Sequence, residues 1–382
     1  MTAAHTMLLI TLLRNALIKK YPLFQGCAAC PDNRIDWRGL TDALPEPDFP
    51  VDFVFTWVNG TDPALAAKRA RYLPPDTPRT QDAQGDSLYR DSDELRFALR
   101  SLEIYAPWIR RIFILTDGQR PAWLCADHPR IRIVDHTECI PAEYLPTFNS
   151  HVIEAHLHRI PDLGEHFVYC NDDFFLMNAC AKTDFFTANG LPYLFVDWRD
   201  IRRWGYTQKS PHTASFANVR KHMEEHGISP APDIIAAHTP YPLTKNGMAA
   251  AYVFYREAVT RFGHNKFRTP EDMAFPCHAV PLLGYAQKQT VPRDMPFYYI
   301  NAKRFDRLTY YEAMLREKTC GSLPPFLCIN DVGDVPENHP WREDMRAFLR
   351  AFYPEPSSFE HKFVPERETS LPQSEKIPIL SR

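Results

Sequence analysis

Two adjacent carboxylates set inside an apolar run carry the chemistry most readily seen in this sequence. His166-Phe167-Val168-Tyr169-Cys170-Asn171-Asp172-Asp173-Phe174-Phe175-Leu176 places hydrophobes on both sides of the acidic pair. A buried, unpaired carboxylate is costly, so such groups take a cation or a hydrogen-bond donor. At the C-terminal end of a strand in an α/β fold, that partner is often a divalent metal holding a substrate diphosphate. A strand end followed by a capped turn explains the motif equally well.

Other apolar runs also finish in polar residues. Asn59-Gly60 permits a sharp turn after Val58, and Asp62 either caps the next segment or grips a ribose or base. Thr116-Asp117-Gly118-Gln119 is a second such end, and Phe326-Leu327-Cys328-Ile329-Asn330-Asp331 a further one. Ligands of open α/β sheets bind beyond the carboxyl ends of the strands. The recurrence favours a site, although each end alone reads as an ordinary turn. His238 follows the apolar Ile234-Ile235-Ala236-Ala237 and precedes Thr239-Pro240-Tyr241-Pro242 in what reads as a loop. A positioned imidazole there could take a proton at neutral pH, or serve as a hydrogen-bonded structural histidine. Arg90, Arg96, Arg100, Lys245 and Arg268 are candidate phosphate ligands.

Strands and helices must bring these residues together. Val51–Val58 is nearly continuous in hydrophobes, which suits a strand covered on both faces. Residues 64–88 read as a long polar loop with a helical piece. Asp91 with Glu94 predicts a capping-box-like helix start. Leu95, Leu99 and Leu102 form its apolar stripe, Arg96, Arg100 and Glu103 face elsewhere, and Pro107 comes just after its end. Arg111–Thr116 and Ile131–Val134 read as strands, and His151–His158 as a helix feeding the acidic strand. Further on, Leu194–Val196 reads as a strand, with helices over Ser215–Glu225 and Ala249–Phe262. The alternation predicts an α/β, Rossmann-like, mostly parallel sheet with helical additions.

The chain has 382 residues, 45% of them hydrophobic, enough for one large core or a core with a subdomain. A net charge of −3 gives no reason to expect nucleic acid. Nine scattered cysteines do not form a secreted disulfide framework, and Cys27-Ala-Ala-Cys30 lacks a matching second pair. No apolar run approaches the ~20 residues of a membrane span. Leu9, Leu12, Leu13 and Leu17 could line a helix lying at a membrane surface or docking on the core. The expected division is an N-terminal segment over 1–48, a catalytic domain over 49–360 and a flexible tail over 361–382.

The blocks, in this order, resemble the stealth family of sugar-phosphate transferases. Asp52–Pro63 looks like the first family region. Arg90–Arg96, Thr116–Gln119, Phe148-Asn149-Ser150 and Tyr169–Asp173 look like the second. Asn218, His238-Thr239-Pro240 and Arg268 resemble the third, with Thr239 departing from a larger apolar residue. Cys328–Asp331 and Pro356–Glu360 resemble the fourth.

The resemblance implies a glycosyltransferase A-type-like fold and a capsular polysaccharide phosphotransferase. A sugar 1-phosphate, N-acetylglucosamine 1-phosphate above all, would pass from a UDP-sugar to a hydroxyl of a capsular oligosaccharide, releasing UMP. It implies Mg²⁺ or Mn²⁺ on Asp172, Asp173 and Asp331, Arg268 and Arg90 on phosphate charge, and His238 as general base. Asn59, Asp62, Asp117 and Gln119 would hold uridine and ribose. Asp91, Glu94, Asn149 and Asn218 would orient the sugar or a metal-bound water. The resemblance also implies a cytoplasmic enzyme, peripheral at the inner membrane through its N-terminal segment. The alternatives are a metal-dependent glycosyltransferase that releases UDP and a noncatalytic glycan-binding module.

Overall fold

Hydrophobes on both faces of Val51–Thr56 make it an interior strand, β1. The computed structural model of the protein describes residues 45–73, 85–197, 210–229, 235–331 and 339–361. The expected N-terminal helix, the Cys27 and Cys30 pair and most of the tail lie outside these residues. The remaining strands are β2 (Ile112–Thr116), β3 (Ile131–Asp135), β4 (His166–Asn171), β5 (Phe174–Leu176), β6 (Tyr193–Asp197) and β7 (Ile235–Ala236). They continue with β8 (Tyr241–Thr244), β9 (Val291–Arg293), β10 (Phe297–Asn301) and β11 (Phe326–Asn330). Helices α1 (Pro63–Ala70), α2 (Glu94–Tyr105), α3 (His136–Cys139), α4 (Ser150–Ala155) and α5 (Pro211–Glu225) are joined by α6 (Lys245–Phe254) and α7 (Arg256–Phe262). After them come α8 (Val280–Ala286), α9 (Arg307–Cys320) and α10 (Trp341–Phe352).

The main sheet has the order β3-β2-β1-β4-β8, parallel except for the edge strand β8. The expected α/β, mostly parallel architecture is therefore present. Strand order runs outward from β1 through β2 to β3, then jumps to β4 on the other side of β1. That reversal opens a crevice beyond the carboxyl ends of β1 and β4, where α/β folds hold ligands. The register Thr56↔Asn171 brings those two ends level.

The acidic strand ends at its carboxylates as expected: β4 stops at Asn171, and beyond Asp172-Asp173 β5 leaves the main sheet to pair antiparallel with β11, beside β10. A turn lets the two charges leave the ladder, which continuous pairing between covered faces would forbid. A third small sheet has the order β7-β6-β9. Tyr241-Pro242 belongs to β8 and not to a loop; an edge position tolerates a proline without a ladder donor. The helix expected over 249–262 is two helices meeting at Tyr255.

Helix α2 buries Leu95, Leu99 and Leu102 as the stripe requires, but it buries Arg100 as well. Arg100 is 2% exposed and donates through Nε and Nη2 to Glu360, at 2.6 and 2.9 Å. Arg96 bonds the same carboxylate. Both of these candidate phosphate ligands are thus paired with the Glu360 carboxylate. Lys245 donates to the carbonyl of Leu163 at the opening of α6. Nor is there a capping box: α2 begins behind Asp93, held at φ 72°, and the Ser92 amide donates to the Glu94 carboxylate.

Candidate active site

The acidic pair occupies the turn that carries the chain from the main sheet to the second one. Asp173 Oδ2 accepts from Asn330 Nδ2 at 3.2 Å and from the Cys328 thiol at 3.5 Å, tying the turn to β11. Asp91 and Glu94, at the entry to α2, complete an acidic group. Burial, then the charge of Glu94 and the other acids, pushes Asp172 well above the usual carboxyl range. Burial raises Asp173 to about 6, with Asp331 adding to the effect. Burial and Asp93 raise Asp91 to about 6, and burial and Asp91 raise Glu94 to about 8. Glu94 is buried, whereas Asp91, Asp172 and Asp173 keep partial solvent contact, as side chains do at the base of a cleft.

Among the described residues no three His, Cys, Asp or Glu side chains converge closely enough to chelate an ion as they stand. The donor chemistry still suits a hard divalent cation: Asp172 lies within electrostatic reach of Asp173, Glu94 and Asp91, and Asp173 Oδ1 is buried without a hydrogen-bond partner. Asp331 departs from its expected role. Its carboxylate forms ion pairs with both Arg90 and Lys303, so two cations occupy a group expected to ligate metal.

A second group of side chains stands beside the acids. Phe174, next in sequence to Asp173, meets the His238 ring edge-on at 6.4 Å, and His238 also packs on Tyr299 of β10 at 5.2 Å. Arg268 donates from Nε and Nη2 to Ser150 Oγ at 3.0 and 2.7 Å. His212 lies within electrostatic reach of Arg268, His238 and His151. Glu154 is raised by burial and held back by the charges of His151 and Arg268. The Tyr169 hydroxyl links the two groups, donating to Asn171 Oδ1 at 3.0 Å and more weakly to Glu154 Oε1 at 3.4 Å.

Residues 266–272 are locked onto the start of α4. Buried Asp272 accepts from Asn149 Nδ2 at 2.8 Å and bonds His151 Nδ1 at 3.0 Å. Asn149 Oδ1 caps α4 by accepting from the His151 amide, and Asn218 Nδ2 donates to the carbonyls of Pro270 and Asp272. Asn149 and Asn218, expected to orient the sugar or a metal-bound water, thus have backbone partners around Arg268. Asp272 was missed because it acts on residues over a hundred positions away. His151 and Glu154 carried a readable signal: they share one helical face three residues apart.

The nucleotide-holding candidates are gathered at the ends of β1 and β2. Gln119 Nε2 donates to the Asn59 carbonyl at 2.9 Å and to Asp62 Oδ2 at 3.0 Å, and its Oε1 accepts from the Asn59 amide. That bond from Gln119, with the α1 amides, holds Asp62 below the usual carboxylate range. Asp117 pairs with Lys68 at 2.7 Å. Gly60 is required here, since a Cβ would meet the Tyr89 carbonyl oxygen at 2.4 Å.

Sequence comparison places the chain among known relatives. Residues 49–74 match the description "Stealth protein CR1, conserved region 1", and residues 88–194 match "Stealth protein CR2, conserved region 2". The capsular polysaccharide phosphotransferase LcbA of Aeromonas hydrophila is 37% identical over 325 residues, covering 84% of this chain and 90% of the relative. The LcbA protein of Neisseria meningitidis is 32% identical, with coverage of 84% and 88%. The capsular polysaccharide phosphotransferase fcs1 of Haemophilus influenzae is 31% identical, with coverage of 89% and 96%. Among solved structures, the galactosyltransferase LgtC with donor and acceptor sugar analogues aligns over 82% of this chain and 98% of its own, at 12% identity and a TM-score of 0.40. With both regions matched and relatives covered nearly end to end, the chain belongs to the stealth family.

Proposed function

We propose that the chain is a capsular polysaccharide phosphotransferase that moves a sugar 1-phosphate, N-acetylglucosamine 1-phosphate first among candidates, from a UDP-sugar to a glycan hydroxyl. The names of its relatives support phosphotransfer in capsule synthesis. The carrying observation is the crowd of protonation-prone carboxylates at the β4–β5 turn, one aromatic ring away from His238. Acids that crowded are costly alone and suit a cation that also binds diphosphate.

In this reading the acceptor oxygen attacks the β-phosphorus. A bond forms between the acceptor oxygen and the β-phosphorus, the bond from the β-phosphorus to the bridging oxygen breaks, and UMP departs with that oxygen and the electron pair. His238 takes the hydroxyl proton. Arg268, pre-set by Ser150 and the Asp272 lock, neutralises the non-bridging oxygens. Asp172 and Asp173 would hold the Mg²⁺ or Mn²⁺, which supplies charge neutralisation to the diphosphate. The loop ends carrying Asn59, Asp62, Asp117 and Gln119 would hold the nucleoside. Among the described residues no helix is long and apolar enough to cross a membrane; a cytoplasmic location, with peripheral membrane contact, belongs to the proposal.

Incubation with UDP-sugars, capsule oligosaccharides and Mg²⁺, with nucleotide products resolved, tests the reading. UMP accompanied by phosphodiester-linked glycan is expected. UDP accompanied by a plain glycosidic product overturns it in favour of an ordinary glycosyltransferase.

A further inference from the structure

The amino end of the main sheet holds a cavity for which the mechanism above has no use. It measures about 370 Å³ and lies where the starts of β4 and α6 meet residues 189–192, helix α8 and residues 287–290. That is the size of a small-ligand pocket. The pairing His166↔Thr244 puts the start of β4 beside the end of antiparallel β8. The acidic turn follows the other end of β4, which has 6 residues, so it stands roughly 20 Å away.

The lining says what the cavity can hold. Its floor is apolar, with Pro242, Leu243, Val280, Pro281 and Leu283 all buried. Asn189, Asn246, Gln287 and Gln289 line it as exposed residues, so it opens to solvent among amides that can both donate and accept. Among the described residues the lining includes no lysine or arginine, and Glu165 is its one carboxylate. Burial lowers the pKa of His166, against the Gly190 carbonyl and the Glu165 charge, and keeps that ring neutral at pH 7. A phosphate asks for cations and a hard divalent ion for several carboxylates; neither is offered here. An apolar floor under neutral amides suits a ring with an apolar face and hydroxyls at its edge, which is a sugar.

The walls are set without a ligand. The His166 ring stacks on Phe49 at 3.7 Å, and its Nε2 bonds the Gly190 carbonyl at 3.1 Å. Gly190 sits at φ 85°, and a Cβ there would meet His166 Nε2 at 2.7 Å. Glu165 Oε1 accepts from the Asn246 amide at 3.2 Å, and Thr244 Oγ1 from the Gly247 amide at 3.0 Å.

We infer that this cavity is a second glycan site, which holds one sugar of the growing polymer while its end occupies the catalytic turn. The inference rests on the reading that the acceptor is a capsular glycan. A short acceptor reaches the turn alone, whereas a long one is gripped at two points and gains affinity by effective concentration. The neutral lining takes the sugar ring and leaves any linking phosphate in solvent.

The test is calorimetric titration of the full chain with phosphodiester-linked N-acetylglucosamine oligosaccharides, a disaccharide and a form long enough to span both sites. Ala250→Trp, at an exposed lining position of α6, fills the cavity, and Gln287→Ala combined with Gln289→Ala removes two amides. Circular dichroism checks that each variant is folded. Wild type is expected to bind the long form about tenfold more tightly than the disaccharide. Both variants should lose most of that preference and keep disaccharide and UDP-sugar affinity. A wild-type preference under about twofold, or one that survives in either variant, overturns the inference. Equal weakening of long and short forms overturns it too, because the substitutions then act at the catalytic cleft. Failure of the proposed reaction shows as UDP release in the transfer assay, whereas failure here shows as a missing length preference in binding.

Discussion

At the residue scale, protons on the crowded carboxylates couple stability to pH. Asp91 and Asp173 are pushed up to about 6 and Glu94 to about 8, each chiefly by burial. Ordinary carboxyls titrate near about 4, so the native chain keeps protons that the unfolded chain releases. The resulting stabilisation is complete below the unfolded pKa and is lost as pH rises through the folded values. Without divalent cations, the melting temperature is therefore expected to fall between about pH 5 and 8, and Mg²⁺ to restore it at the upper end. A melting curve at pH 8 that ignores both Mg²⁺ and Mn²⁺ would contradict metal binding by Asp172 and Asp173. For His238→Ala, turnover should drop by about 10²- to 10⁴-fold, with UDP-sugar affinity little changed in titration. Undiminished turnover would remove His238 as the base.

At the scale of elements, Glu360 fastens α2 to the end of the described chain. Against burial, which raises it, bonds from Arg100, the Ser357 amide and Arg96 keep its pKa below the ordinary range. Its contribution is present above the unfolded glutamate pKa and disappears as pH falls through the depressed native value. Glu360→Gln leaves the Arg100 guanidinium buried without a carboxylate and is expected to cost about 3–5 kcal/mol in urea denaturation at pH 7. A loss under about 1 kcal/mol would show that the pair is weakly coupled to folding. Gly60→Ala acts on the β1 loop: the new Cβ would collide with the Tyr89 carbonyl, displacing Asn59 and Asp62. The expected result is a raised donor KM with kcat largely kept; an unchanged donor KM would separate that loop from nucleotide binding. The periodicity of α2 was plain in the sequence. The ion pair of Arg100 was not, because charge alone marks an arginine as a surface residue.

At the scale of the molecule, one hydrophobic cluster runs through all three sheets. It joins Phe53 and Val168 of the main sheet to Phe175 and Phe326 of the second and Phe195 of the third. A shared core predicts a single cooperative unfolding transition in calorimetry; two resolved transitions would divide the chain into separately folding parts. The sequence by itself determined the strand ends, the polar residues that finish them and the helical stripe of α2, since these depend on neighbours a few positions apart. Tertiary structure decided which ends meet. Only the crossing of β4 to the far side of β1 makes a crevice, and only folding brings Asp272 to His151 across 121 positions and Glu360 to Arg100 across 260. The physical reason is that local pattern fixes what each segment can become, whereas the partner of a buried charge is selected by the packing of the whole chain.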